Sequence, residues 1–71
     1  MNALNTALLD AHARDDRTAL VALYQQAAEG AQDDARGFFL TQAYVFALET
    51  GHPDCAALRA SLVAMGREAP G

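Results

Sequence analysis

The sequence has no lysine, no isoleucine and no tryptophan, and it contains a single cysteine. One cysteine excludes an internal disulfide, so we expect a reducing compartment, the cytoplasm. Only three residues are valine, whereas seventeen are alanine. Because alanine is the best helix former and β-branched residues favour strands, the composition predicts an all-α protein.

Positive charge is also scarce, with five arginines against nine acidic residues and a net charge of −4. The arginines are scattered, so the chain lacks the basic surface that nucleic acid or an anionic membrane requires. The sequence shows no apolar run long enough to span a membrane and no signal peptide in residues 1–9. Abundant alanine and arginine without lysine are typical of GC-rich bacterial genomes.

The chain has 71 residues, which allow one domain. We predict a single helical domain over residues 1–66 and a frayed tail over residues 67–71. A chain this short buries only about 60% of its unfolded surface and is marginally stable by itself. Docking to a partner or self-association would therefore help it.

Apolar residues at helical spacing predict four helices, over residues 2–13, 16–29, 34–50 and 53–65. The apolar phase reverses between the first two, which places a turn near residues 14–16 with Asp15 or Asp16 as N-cap. The second helix should bury one face. That face comprises Leu20, Leu23, Tyr24, Ala27 and Ala28.

Glycine, proline and aspartate mark the other helix ends. Gly30 should stop the second helix in the left-handed conformation, and Gly51 should end the third. Pro53 suits the first position of the fourth helix. The paired aspartates at 15–16 and 33–34 resemble a cation site, but each precedes a helix, where capping accounts for carboxylates.

The third helix holds all three phenylalanines and organises the chain. Its apolar residues fill an arc of roughly 200°, wider than the stripe of an ordinary surface helix. The arc comprises Phe39, Leu40, Ala43, Tyr44, Phe46, Ala47 and Leu48. We therefore expect neighbouring helices on two or three sides of it.

Two apolar residues, Phe38 and Val45, fall outside this arc. They share the remaining strip with Thr41, Gln42 and Glu49. Either the fourth helix covers this strip, or the strip binds a partner, because exposed apolar pairs rimmed by polar groups mark interaction sites. We predict that these five residues bind another protein or a second copy of the chain.

Cys55 is a candidate for chemistry because thiolates are stabilised near helix N-termini. A small thiol-based redox or regulatory protein is therefore the alternative function. However, Cys55 shares a stripe with Leu58, Leu62 and Met65, which favours a packed thiol. His52 and Cys55 supply only half of a metal site, so we expect no metal and no cofactor.

The two halves of the chain echo each other at an offset of 35–36 residues, as in arrays of helical hairpins. The chain resembles the tetratricopeptide repeat family. In the first half, the matching positions are Leu4, Ala7, Leu8, Ala11, Leu20, Tyr24 and Ala27. In the second half, they are Leu40, Ala43, Tyr44, Ala47, Gly51, Ala56, Ala60 and Val63. The resemblance implies two antiparallel helical hairpins and a role in protein–protein interaction.

The sequence contains no phosphate-binding loop, nucleophile elbow or metalloprotease motif. We therefore expect a non-enzymatic adaptor or accessory subunit, with the third helix as its contact surface.

Overall fold

The structure is a computed structural model that describes residues 2–66. These residues form four α-helices: α1 (Ala3–Ala13), α2 (Arg17–Glu29), α3 (Asp33–Thr50) and α4 (Cys55–Ala64). No strand occurs in this range. The all-α prediction is confirmed, while the predicted tail over residues 67–71 lies outside the described residues.

Side-chain caps start the first two helices. The Asn2 Oδ1 accepts a hydrogen bond from the Leu4 backbone N–H at 2.8 Å, and the Asp16 Oδ1 accepts one from the Ala19 N–H at 3.1 Å. Between them, Asp15 adopts a left-handed φ of 54° and turns the chain. The predicted break and the capping role of Asp16 are therefore confirmed.

The connector between α2 and α3 differs from the prediction. Gly30 has a φ of −91°, so the expected left-handed stop is wrong; its N–H donates to the Ala27 carbonyl at 3.2 Å, and the Ala31 N–H donates to the Ala28 carbonyl at 3.1 Å in a tightened last turn. Asp33 carries the left-handed φ, 52°. Neither aspartate caps α3, because Asp33 and Asp34 both lie within its first turn, where their charge favours the helix dipole.

The end of α3 is as predicted. Gly51 is left-handed, with φ 63° and ψ 35°, and the N–H of the following residue, His52, donates to the Ala47 carbonyl at 2.9 Å. However, α4 begins at Cys55, so the placement of Pro53 at its first position is wrong. The reason is a separate turn: the Asp54 N–H donates to the His52 Nδ1 at 3.0 Å, and the Cys55 N–H donates to the His52 carbonyl at 3.2 Å.

The hydrophobic core joins α2, α3 and α4. Its buried members are Val21, Ala28, Leu40, Ala43, Ala47, Leu58 and Leu62. Cys55 and Met65 pack against it partly buried, which confirms the predicted stripe of α4. Val21 is fully buried although the predicted face of α2 omitted it, whereas Leu23 and Tyr24 of that face are half-buried.

Each helix packs against the next, and the most extensive packing is between α2 and α3. Within residues 2–66, no Cα atoms of non-consecutive helices come within 8 Å. The narrowest Cα extent is 13 Å, which is the span of two packed helices with axes about 8–10 Å apart. Such a layer leaves one side of α3 open. These contacts are compatible with two hairpins, and the tetratricopeptide arrangement stays a prediction.

Candidate protein interaction surface

The circumference of α3 divides into a buried and an exposed part. Leu40, Ala43 and Ala47 of the predicted arc are buried, and so is Gly37, which the predicted arc did not include. Leu48 was expected in that arc, but its side chain is 57% exposed. The expectation is wrong because Leu48 lies at the edge of the arc, and a layer of two helices covers the centre of such an arc before its edges.

The α3 strip is a row of six residues on this helix, all exposed except the half-buried Gln42. Its members are Phe38, Thr41, Gln42, Val45, Leu48 and Glu49. Phe38 is 55% exposed and Val45 44%, so α4 does not cover the predicted pair. The strip thus contains the five sequence-predicted residues and Leu48. The missed signal was spacing, since Leu48 follows Val45 by three positions and residues three apart lie on the same face of a helix.

The polar members of the strip are held by local contacts. The Thr41 hydroxyl donates to the Gly37 carbonyl at 2.8 Å, within α3 itself. The Glu49 Oε1 lies 3.7 Å from the Arg17 Nη1, which links the end of α3 to the start of α2. Gln42 is half-buried. These contacts leave the three large apolar side chains as the most exposed part of the strip.

A run of aromatic rings connects the strip to α1. The Phe38 ring meets the Phe39 ring edge-on, with centroids 5.6 Å apart. Phe39 stacks on Tyr24 at 6.2 Å, and Tyr24 stacks on Phe46 at 6.1 Å. At the far end, the His12 Nε2 and the Tyr24 hydroxyl share a hydrogen bond of 2.8 Å. One edge of the exposed Phe38 is therefore supported by an ordered row of rings.

An open groove of about 260 Å³ lies beside Phe39. Its walls come from α1, from the end of α2 and from α3. The lining residues are Asn2, Leu4, Asn5, Leu8, Ala27, Gly30, Ala31 and Phe39. In α1, whose residues are all described, only Ala11 is buried. The groove exists because α1 contacts α3 through His12, which lies near the C-terminus of α1. Leu4 and Leu8, nearer the start of α1, stay half-buried.

Two further grooves include charged side chains. One, of about 410 Å³, lies between α3 and α4 and is lined partly by Asp33 and Arg36. The other, of about 450 Å³, lies along the outer side of α4 and includes Arg59 with several small residues. The groove beside Phe39 differs from both in having an uncharged lining within the described part of the chain.

The structure places Cys55 at the start of α4, half-buried against the core. The neighbouring His52 uses its Nδ1 to accept the Asp54 backbone N–H. Among residues 2–66, no three histidine, cysteine or acidic side chains gather as a metal site would require. The thiol-based function stays a prediction that no further contact supports.

The connector between α1 and α2 carries a small network of charges. A hydrogen bond and the negative charge of Asp10, 2.9 Å away, raise the pKa of Arg14 above its ordinary value, and Asp16 adds to the effect. Arg14 therefore stays charged at any pH near neutrality. These groups are largely exposed, and they link Asp10 near the end of α1 to the connector that follows it.

The chain matches no protein-family model, no curated protein and no solved structure with which it was compared. The tetratricopeptide resemblance therefore stays a prediction. Within residues 2–66, no helix has the length and apolar character needed to cross a bilayer.

Proposed function

We propose that the chain is a non-enzymatic interaction module of the cytoplasm that binds another protein, or its own copy, through the α3 strip. The observation that carries this proposal is the row of Phe38, Val45 and Leu48, each roughly half exposed on one helix side. A fold that needed these side chains for stability would bury them. Their exposure is better accounted for by a partner that covers them.

The chemistry of the strip suits protein recognition. Aromatic side chains, phenylalanine included, supply large contact areas and are enriched at protein interfaces. Thr41, Gln42 and Glu49 provide a polar border, as at ordinary interfaces. Since Phe38 is supported on one edge by Phe39, less side-chain freedom is lost on binding.

The experiment compares affinity capture from the source cells by the wild-type chain and by Val45→Glu and Leu48→Glu variants. Leu9→Glu is the matched control, because Leu9 is 61% exposed on α1 and lies outside the strip. Proteins captured by wild type and control but lost from both strip variants are then purified and titrated calorimetrically. We expect each strip variant to weaken binding by about tenfold or more, since a buried charge replaces a central apolar contact.

Circular dichroism checks that all variants keep the helical fold. The proposal would be overturned if every captured protein binds the Val45→Glu and Leu48→Glu variants as tightly as the wild type. It would also be overturned if the chain neither captures a protein nor associates with itself at millimolar concentration.

A further inference from the structure

We propose that α1 is a hinged strap, which opens away from α2 as one unit while α2, α3 and α4 keep their fold. The hinge is the connector over residues 14–16, and His12 is the contact that holds the strap closed. Opening is a property of the chain alone, so this inference goes beyond the proposed function and does not depend on it.

The first argument is that the core does not include α1. All residues of α1 are described, and none belongs to the core cluster of α2, α3 and α4 or to the side chains packed against it. The Cα atoms of α1 come within 8 Å of those of α2 and of no other helix in residues 2–66. Opening of α1 therefore breaks no contact within that core.

The second argument is that α1 has few of the contacts that resist local opening. Its one buried residue, Ala11, lies near its C-terminal end. At the other end, Leu4 and Leu8 are half-buried beside the open groove, and Leu9 is 61% exposed. A helix with so few buried apolar side chains opens at a lower free energy than the core does.

The third argument is that the connector is fixed to the other helices. The Asp16 side chain caps α2 by accepting the Ala19 N–H, and Asp15 pairs with Arg17 of α2 at 3.3 Å. Arg17 in turn lies 3.7 Å from Glu49 of α3. The connector is therefore a pivot at which a few backbone angles can absorb the movement of α1.

His12 provides the contact that holds the strap closed. Its Nε2 and the Tyr24 hydroxyl share a hydrogen bond of 2.8 Å, which joins α1 to α2. Its ring also meets the Tyr24 and Phe46 rings edge-on, with centroids 5.9 and 6.0 Å apart, which joins α1 to α3. Loss of these contacts should therefore favour the open form.

The open form exposes more apolar surface beside the α3 strip. When α1 opens, His12 leaves the Tyr24 and Phe46 rings, and the groove beside Phe39 loses the wall that α1 supplies. These three rings belong to the row that ends at Phe38 of the strip. The strap therefore controls how much aromatic surface the chain presents there.

The experiment is native-state amide hydrogen exchange on the full chain, followed by NMR at several urea concentrations below the unfolding transition. A helix of eleven residues is marginal without its support, so its amides exchange once α1 opens. Protection over residues 7–13 should be at least about 100-fold lower than at Ala43 and Ala47. It should also fall less steeply with urea, with one common slope, because opening exposes less surface than unfolding does.

Two variants separate opening of α1 from unfolding of the whole chain. Leu62→Ala weakens the core that the closed and open forms share. It should lower protection at Ala43 and Ala47 about 30-fold or more and leave α1 unchanged. His12→Ser keeps a similar helix propensity but removes the hydrogen bond and both ring contacts, so protection across α1 should fall about tenfold.

Leu9→Gln is the matched control on α1. It replaces a largely exposed side chain without altering helix propensity, so it should change protection across α1 less than about threefold. The inference would be overturned if Leu62→Ala lowered protection in α1 and in the core by the same factor, because α1 would then open only when the whole chain unfolds.

Two further results would contradict the inference. Protection that rises residue by residue along α1 without a common urea slope would mean fraying from one end, not movement as a unit. Equal protection across α1 in the wild type and His12→Ser would mean that His12 does not hold the strap. Because all these measurements use the chain without a partner, their failure is distinct from a failure of the proposed function.

Discussion

The two sides of α3 differ in the side chains at their most buried and most exposed positions, although the buried side also holds Leu40 and three partly buried aromatic rings. The most buried positions facing the neighbouring helices hold small residues, Gly37, Ala43 and Ala47, whereas the side facing away holds Phe38 and Leu48. Small residues on the inner side let α2 and α4 approach closely. The large residues on the outer side contribute little to this packing. The difference indicates that folding depends on the inner side of α3, and the outer side is where we propose that a partner binds.

Removing core volume opposite the inner side should have the largest effect. Leu62 of α4 is 1% exposed and belongs to the core cluster with Ala43 and Ala47. Leu62→Ala should lower the free energy of unfolding by about 2–5 kcal/mol, through lost burial and the cavity left behind. Chains of this length have roughly 4–11 kcal/mol in total, so much of the stability would be lost.

Leu48→Ala is the control, because it makes the same change on the outer side and should alter stability by less than about 0.5 kcal/mol. Urea unfolding followed by circular dichroism measures both. Equal losses of stability for the two variants would contradict the difference between the inner and outer sides of α3, because the outer side would then also support the fold.

Adding volume to the inner side should have the next largest effect. Ala47 is fully buried, so Ala47→Leu must push a neighbouring helix away and should cost about 1–3 kcal/mol. Ala35→Leu adds the same atoms at an exposed position of α3 and should be nearly neutral. Thermal unfolding should give a clearly lower melting temperature for Ala47→Leu than for Ala35→Leu. A neutral Ala47→Leu would mean that the small residues are not what allows the helices to approach.

The sequence predicted most of both sides of α3 and misplaced Leu48 at their boundary. Helical spacing identified Leu40, Ala43 and Ala47 as inner residues, because the chemistry of each residue and its position on the helix agree. Leu48 was misplaced because the limit of coverage depends on where α2 and α4 lie. The placement of α2 and α4 follows from the packing of the whole chain, so the sequence of the third helix alone does not determine it.

The same distinction explains the helix ends and the groove. Gly51 was predicted correctly because glycine adopts the left-handed conformation without a Cβ penalty, although the same argument failed at Gly30, whose φ is −91°. The predicted start of α4 was wrong because the His52 side chain accepts a hydrogen bond that forms a turn before this helix. Backbone propensities do not encode such a side-chain contact. The groove beside Phe39 depends on the path of α1 relative to α3, so only the structure reveals it.

A substitution at the C-terminal end of α3, which supports both sides of the helix, should have an intermediate effect on the free energy of unfolding. Gly51 ends the helix with φ 63°, and no atom lies within 4 Å of a Cβ added there. Gly51→Ala should therefore cost about 1–2 kcal/mol from left-handed strain alone. Gly30→Ala, at φ −91°, should be neutral or slightly stabilising. Equilibrium unfolding measures the free energy of unfolding of both variants. Equal losses would show that left-handed strain does not determine the effect of Gly51→Ala.

The smallest effect is expected at the ion pair that ties the strip to α2. Glu49 and Arg17 lie 3.7 Å apart with side chains 38% and 49% exposed, and Arg17 also pairs with Asp15 at 3.3 Å. Water and salt screen such a pair, so Glu49→Gln should change the free energy of unfolding by less than about 1 kcal/mol. Any effect should vanish at about 1 M salt, where the screening length is near 3 Å. A salt-independent loss above about 2 kcal/mol would place Glu49 in the folding scaffold, because only a pair shielded from water resists screening. The outer side of α3 would then share the structural role of the inner side, and the division between them would fail.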